Sequence, residues 1–238
     1  MTQIPDSDCS IIVPAYNEEK RIARFLENMN GFTGRFIFVC DGTDNTANII
    51  EKFASENRQY NIRCLSYNHR LGKGGGILEG FRHTETPYCG FLDADGSASI
   101  KEMKKLFSAL EDSDCAIGSR WMQESDIVVE QGLGRKIQSR MFNVAVKVLF
   151  GLSFKDTQCG AKAFRQEAIL SVMPQIESTG FEFDVEVLWR LRDSGFRIKE
   201  VPIAWEDRES SHVGGFDGAG MLVNLIKLKR GKVPRKPE

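Results

Sequence analysis

The sequence predicts an α/β fold, a doubly wound, mostly parallel sheet in a single domain, and two patterns carry that prediction. Short apolar runs recur along the chain with helical segments between them, the alternation that builds a parallel sheet with crossover helices. The runs are nearly continuous in apolar residues, as strands covered on both faces are. The length of 238 residues suits one large domain with a substantial core. No linker and no internal repeat interrupts it.

In chain order, CSIIV (Cys9–Val13) is the first expected strand and Ile22–Met29, after Asn17, the first helix. FIFVC (Phe36–Cys40) is the second strand, followed by a helix over Asp44–Phe53 with Asp44 or Asn45 as N-cap. Ile62–Tyr67 and Tyr88–Leu92 are the next strands. Between them a glycine run, Gly72-Lys73-Gly74-Gly75-Gly76, is expected as a flexible loop before a helix at Ile77–Phe81. Ser99 and Glu102 form a capping box ahead of Met103, Leu106, Phe107 and Leu110, one apolar helix face. Cys115–Gly118 is a fifth strand. The second half offers an apolar helix at Ser139–Phe150 with Arg135, Lys136 and Arg140 at its start, a helix at Asp184–Arg192, and a strand at Arg197–Trp205. From Phe216 the chain reads as an amphipathic helix and a basic tail, so residues 1–214 form the catalytic unit and 215–238 an appendage suited to membrane contact.

Composition narrows the function classes. Apolar residues make up 41% and charged residues 27%, with a net charge of −1, which argues against non-specific nucleic-acid binding. The six cysteines are spread singly, without a CxxC pair, so zinc-ribbon spacing is absent, and Cys9, Cys40, Cys64, Cys89 and Cys115, in or beside apolar runs, are expected as buried, reduced thiols. The N-terminal MTQIPDSD has no apolar core of a signal peptide, and no apolar run is long enough to span a bilayer. These features point to a cytoplasmic protein.

Chemistry concentrates where strands end, the edge at which open α/β sheets bind ligands. Phe91-Leu92-Asp93-Ala94-Asp95-Gly96 closes a strand with Asp-x-Asp. Residues i and i+2 of a strand share a face, so Asp93 and Asp95 converge and suit a hard divalent cation that also needs phosphate oxygens. Mg2+ or Mn2+ bridging a diphosphate there neutralises a leaving group. The first strand ends in Pro14-Ala15-Tyr16-Asn17-Glu18 and the second in Asp41-Gly42-Thr43. Neither carries the dinucleotide glycine fingerprint. Tyr16 offers a flat face and a hydroxyl to a base or ribose, and Asp41 an acceptor to a base edge. The glycine run fails the Walker A spacing, yet its backbone and Lys73 suit phosphate.

Taken in order, PAYNEE, DGTDNT, GKGGG, DADGS, GSR, DTQCGAKAF, FDVE and EVPIAW resemble the family 2 glycosyltransferases of GT-A fold, and within them the dolichyl-phosphate glucose and mannose synthases. The likeness runs from about Ile11 to Lys229. It implies that Pro14, Ala15, Tyr16 and Glu18 contact the nucleotide and Asp41 its base. It implies a metal and diphosphate motif at Asp93, Ala94 and Asp95. Arg120 then lies near the sugar and acceptor phosphate, Arg135, Ser139 and Arg140 on the acceptor phosphate, and Arg208 on the diphosphate. His212 stands where the synthases generally carry a lysine. DADGS, DTQCG and the GKGG run lean to the glucose branch, hence a UDP-sugar, with GDP-mannose as the other donor.

The resemblance implies inverting displacement at the sugar C1. A phosphate-monoester acceptor, with a second pKa near 6, is already ionised and needs cationic positioning rather than a base. A hydroxyl acceptor would need one, and Asp184 or Glu186, opening a helix in Phe183-Asp184-Val185-Glu186, either serve as that base, orient an arginine and the acceptor, or only favour the helix dipole. Met141–Phe150 and the basic C-terminal segment favour a lipid acceptor and peripheral contact with the cytoplasmic face of a membrane. Two activities are therefore expected: transfer to a polyprenyl phosphate, or a soluble transferase with a hydroxyl acceptor. The first leaves room for a membrane-anchoring subunit or a second copy as partner.

Overall fold

The computed structural model describes residues 4–122, 125, 133–206 and 218–231, and for residues 133–141, 218–219 and 221–222 the backbone alone. Seven described strands form one sheet: β1 (Cys9–Ala15), β2 (Arg35–Cys40), β3 (Asn61–Ser66), β4 (Tyr88–Leu92), β5 (Cys115–Ser119), β6 (Ala161–Arg165) and β7 (Ile198–Pro202). Their order is β3-β2-β1-β4-β6-β5-β7. All neighbours run parallel except β6, which is antiparallel to both β4 and β5. The helices are α1 (Ile22–Glu27), α2 (Thr46–Glu56), α3 (Lys73–Arg82), α4 (Ile100–Ala109), α5 (Leu133–Phe150), α6 (Gln166–Val172), α7 (Phe183–Asp193) and α8 (Gly218–Lys229).

Strand alternation splits the core into two layers. Ile11 and Val13 of β1, Phe36 and Phe38 of β2 and Ala161 of β6 face α1, α2 and α4. Ile12, Ile37, Phe91 and Phe164 face α3, α5, α6 and α7, a layer that Leu225 and Leu228 of α8 join. Both faces are thereby covered, which is why the strand sequences read as apolar runs. The expected boundary between residues 214 and 215 lies outside the described residues.

Three local expectations need correction. β6 and α6 have no counterpart in the sequence reading; β6 is Ala-Lys-Ala-Phe-Arg, and its lysine breaks the apolar run that marks a buried strand. The glycine run is the first turn of α3, not a flexible loop. Gly72 sits at the N-cap with φ +80°, a left-handed conformation that favours glycine, and a Cβ on Gly74 would lie 2.5 Å from the Cβ of Phe183. The glycines bring α3 close to α7. The capping box is half made: Ser99 accepts the Glu102 N–H at 3.4 Å. The buried Glu102 carboxylate turns instead to Lys105 and the Ala204 N–H.

Candidate active site

β1, β2 and β4 are parallel neighbours, so their C-terminal ends open on one edge of the sheet. A cavity of about 170 Å³ lies there. The end of β1 and the loop after it contribute Pro14, Ala15, Tyr16 and Glu18, the loop after β2 Asp41, the loop after β4 Asp93, Ala94 and Asp95, and α3 contributes Lys73. These sequence-expected residues, scattered over some eighty positions, meet in one cleft. Gly72 of the glycine run lines it too, as do Arg21, Arg70 and Phe181, which no local motif singles out.

The loops are stitched together by side chains. Asn17, at φ 53°, accepts the Thr43 N–H at 2.9 Å. Asp44 accepts the N–H groups of Glu19 and Thr46, both at 3.0 Å, so it caps α2 from one position further out than an N-cap and ties that helix to the first loop. Glu18 forks onto Arg21 with two 2.7 Å contacts. Asp41, 8% exposed, receives the N–H groups of Leu71 at 2.8 Å and Gly72 at 2.9 Å on one oxygen. It therefore anchors the β3–α3 loop as well as facing the cleft. That loop carries Arg70, whose guanidinium lies 3.1 Å from the Tyr16 ring centroid. One face of Tyr16 is thus covered by a cation, and the two side chains form a stacked unit.

At the other end of the cleft the expected Asp-x-Asp is displaced from its strand. β4 ends at Leu92, and Asp93–Gly96 is a turn closed by the Gly96 N–H on the Asp93 carbonyl at 3.3 Å. Convergence of the two carboxylates therefore comes from the turn, not from strand alternation. Asp95 caps its own turn through the Ser97 N–H at 2.9 Å. Behind Asp93 the β5–β6 connection passes so close that a Cβ on Gly160 would fall 1.8 Å from Oδ2. Burial raises the Asp93 pKa and prevails over the opposing pull of Lys73.

Lys73 bridges two carboxylates: its Nζ is 3.1 Å from Asp93 Oδ1 and 3.2 Å from Asp184 Oδ2. Burial alone would lower its pKa, yet Asp184 and Asp93 raise it. Asp184, opening α7, is 1% exposed and takes Lys162 on its other oxygen. Burial pushes this carboxyl up, but Lys162 and Lys73 outweigh burial and hold it below the ordinary 3.8. Glu186, the other helix-start carboxylate, is buried elsewhere: it accepts the N–H groups of Glu177 and Ser178 and pairs with Arg190 at 3.1 Å. That makes it a loop anchor and removes it as a base.

Arg120, just past β5, is forked by Asp156 of the DTQCG segment: Nε at 2.7 Å, Nη2 at 3.0 Å and the backbone N–H at 3.1 Å. Its guanidinium lies 5.1 Å from the Trp205 ring centroid. Burial would lower its pKa, and Asp156 more than compensates. Arg135, Ser139 and Arg140 fall on the first turns of α5, where only the backbone is described, and Arg208 and His212 lie outside the described residues.

Comparisons with known proteins agree with one another. A family model described as "Glycosyl transferase family 2" matches residues 10–172. A dolichyl-phosphate beta-glucosyltransferase of Saccharomyces cerevisiae is 31% identical over 92% of this chain and 73% of its own. The Homo sapiens protein of the same name is 28% identical over 89% of this chain and 71% of its own. Among solved structures, glucosyl-3-phosphoglycerate synthase from Mycobacterium tuberculosis in complex with UDP superposes with a TM-score of 0.67 at 17% identity, covering 95% of this chain and 80% of that one. A mannosyltransferase from Pyrobaculum calidifontis in complex with GDP-Man and Mn2+ does so with a TM-score of 0.62 at 16% identity, covering 100% and 68%. These structural likenesses establish the GT-A fold.

Proposed function

The chain belongs to glycosyl transferase family 2, and from that premise we propose that it transfers a hexose, glucose foremost, from a UDP-sugar to a polyprenyl phosphate with inversion at C1. The named relatives are glucosyltransferases with dolichyl phosphate in their names, which supports glucose as the transferred sugar and a polyprenyl phosphate as acceptor.

One observation favours the phosphate acceptor over a hydroxyl: Asp184 lies buried between Lys162 and Lys73. A carboxylate held ionised below 3.8 by two ammonium groups is a poor general base, since an efficient one has a pKa close to the working pH. A phosphate monoester, ionised near neutral pH with a second pKa of about 6, needs no base. It needs a cation that can fork onto two oxygens. Arg120 meets that need, with Asp156 fixing one edge of the guanidinium and Nη1 outside that fork.

The donor is proposed to lie in the cleft with its base at Tyr16, Arg70 and Asp41 and its diphosphate at Asp93, Asp95 and Lys73. A divalent cation suits this donor set. Two carboxylates stand together, and among the described residues no group of three or more His, Cys, Asp or Glu closes a cage, so phosphate oxygens would complete the coordination, as Mg2+ and Mn2+ favour. When bound, the cation supplies neutralisation of charge on the departing diphosphate. Lys73 adds a fixed ammonium at the same place, and Arg208 is proposed to join from the following loop. Arg135, Ser139 and Arg140 are proposed to extend the acceptor site.

No helix among the described residues is long and apolar enough to cross a membrane. Peripheral contact is supported by Val144 and Val148 of α5, 62% and 78% exposed, and Val223 of α8, 50% exposed. Lys147, Lys227, Lys229 and Arg230 are exposed on the same two helices and the turn after them. Apolar and basic side chains together suit an anionic lipid surface.

The test is a donor screen: purified protein, Mg2+ or Mn2+, UDP- and GDP-sugars, with and without a short polyprenyl phosphate. Lipid-dependent UDP release with a sugar-lipid product is expected. GDP release would move the donor to mannose, and turnover independent of lipid would overturn the acceptor.

A further inference from the structure

Lys162 is fully buried, and the proposed chemistry does not use it. Burying an ammonium is costly and is sustained only by good partners. Its Nζ donates to the Cys159 carbonyl at 2.8 Å and to Asp184 Oδ1. Asp184 holds Lys73 through its other oxygen, and Lys73 reaches Asp93. A ladder of alternating charge thus runs from the middle of the sheet to the cleft, through contacts of 3.2 and 3.1 Å on the cleft side. Register explains the start of the ladder: Lys162 pairs with Phe91, two residues before Asp93, and its ammonium sits 5.3 Å from that ring centroid.

We propose that Lys162 is a positioning residue that sets the charge balance of the donor site through Asp184 and Lys73, so that divalent cation and diphosphate each bind weakly alone and tightly together. This rests on the cleft being a nucleotide-sugar and metal site. Two lysines against Asp93, Asp95 and Asp184 leave the cluster with one net negative charge, and Arg120 is neutralised by its own partner, Asp156. A cation arriving alone must compete with Lys73 for Asp93. A diphosphate arriving alone meets two carboxylates. Together they cancel each other's charge. Removing the Lys162 charge makes the cluster more negative, which must favour the cation and disfavour the anion. A mere loss of packing would weaken both.

The experiment measures Mn2+ binding without nucleotide, by the paramagnetic resonance of free Mn2+, and UDP binding in EDTA, by calorimetry. The proteins are wild type, Lys162→Met and the double variant Lys162→Met/Asp184→Asn, which restores the net charge, each checked for folding by circular dichroism. Lys162→Met is expected to tighten Mn2+ about tenfold and weaken UDP about tenfold, the effect of one unit charge acting through a partly screened interior. The double variant is expected to return both towards wild type. If Lys162→Met does not fold, Lys162→Gln, which keeps a donor for the Cys159 carbonyl, carries the same prediction. Affinities that fall together, or do not move, overturn the proposal. A wild-type protein that binds no UDP even with Mn2+ present overturns the donor-site assignment itself, and the proposal with it.

Discussion

Asn in place of Asp156 is expected to cost the fold about 3 kcal/mol, the lower end for breaking a buried ion pair by removing one partner. Asp156 is 1% exposed, and its two oxygens hold Arg120 through Nε, Nη2 and the backbone N–H. Asn keeps one acceptor oxygen but turns an amide NH2 towards groups that are themselves donors. Arg120 cannot shed its proton, so it remains a buried cation with part of its fork unmade. The upper end of the range does not apply, because the Arg120 side chain is 15% exposed and retains its place beside Trp205. Urea unfolding followed by tryptophan fluorescence reads the change. With a slope of about 3 kcal/mol/M the midpoint falls by about 1 M, at constant slope. Asp112→Asn is the control: it breaks the Lys199 pair, which is 2.9 Å long but has side chains 48% and 65% exposed, and it is expected to leave the midpoint in place. Arg120→Met/Asp156→Asn, lacking both charges, should recover part of the loss. A single Asp156→Asn variant that unfolds with wild type would falsify the view that this pair fixes Arg120.

Asp95→Asn is expected to lower transfer about 10²-fold or more, by loss of charge stabilisation at the leaving group, with the fold intact by circular dichroism; unchanged turnover in every donor assay would end the catalytic assignment. Gly160→Ala places a methyl 1.8 Å from Asp93 Oδ2 and is expected to cost about 1–3 kcal/mol by overpacking and to abolish Mn2+ binding as read by its resonance signal. The pH dependence of stability follows from the ladder. Lys73, raised above its ordinary 10.5, contributes fully below that pH and fades as pH rises through its higher folded value. Asp184, lowered below 3.8, contributes fully above that pH and fades as pH falls through its lower folded value. Asp93, raised by burial, works in the opposite sense. Lys73→Met should therefore lose stability across about pH 4–10 and flatten the alkaline limb in denaturation series; an alkaline limb identical to wild type would remove Lys73 from the ladder.

The fold was legible wherever a strand was apolar on both faces and followed by a periodic helix, as in β1, β2, β4 and β5. It was illegible at β6, because Lys162 interrupts the pattern and because an antiparallel strand between two parallel ones has no local signature. The candidate cleft was legible for a different reason: Pro14 closes a strand and Tyr16, Asp41, Asp93 and Asp95 follow strand ends, and the parallel sheet brings such ends together whatever lies between. Arg70 escaped notice because nothing in Asn-His-Arg-Leu announces that Asp41 will grip the next two N–H groups and swing that arginine over Tyr16.

Asp184 shows where reading residue by residue stops. At the start of a helix, next to an apolar stretch, it reads equally well as a base, as a positioning carboxylate or as a residue that favours the helix dipole. Its behaviour is decided by two lysines, one opening α3 and one on the unpredicted β6, and both reach it only because β6 runs antiparallel beside β4 while α3 crosses back over the same face. With both in place the carboxylate is engaged with two cations, which is the ground for proposing an acceptor that arrives already ionised. The proposed preference for a phosphate over a hydroxyl thus traces to sheet topology: it is the antiparallel β6 that sets Lys162 against Asp184, beside the Lys73 that α3 supplies.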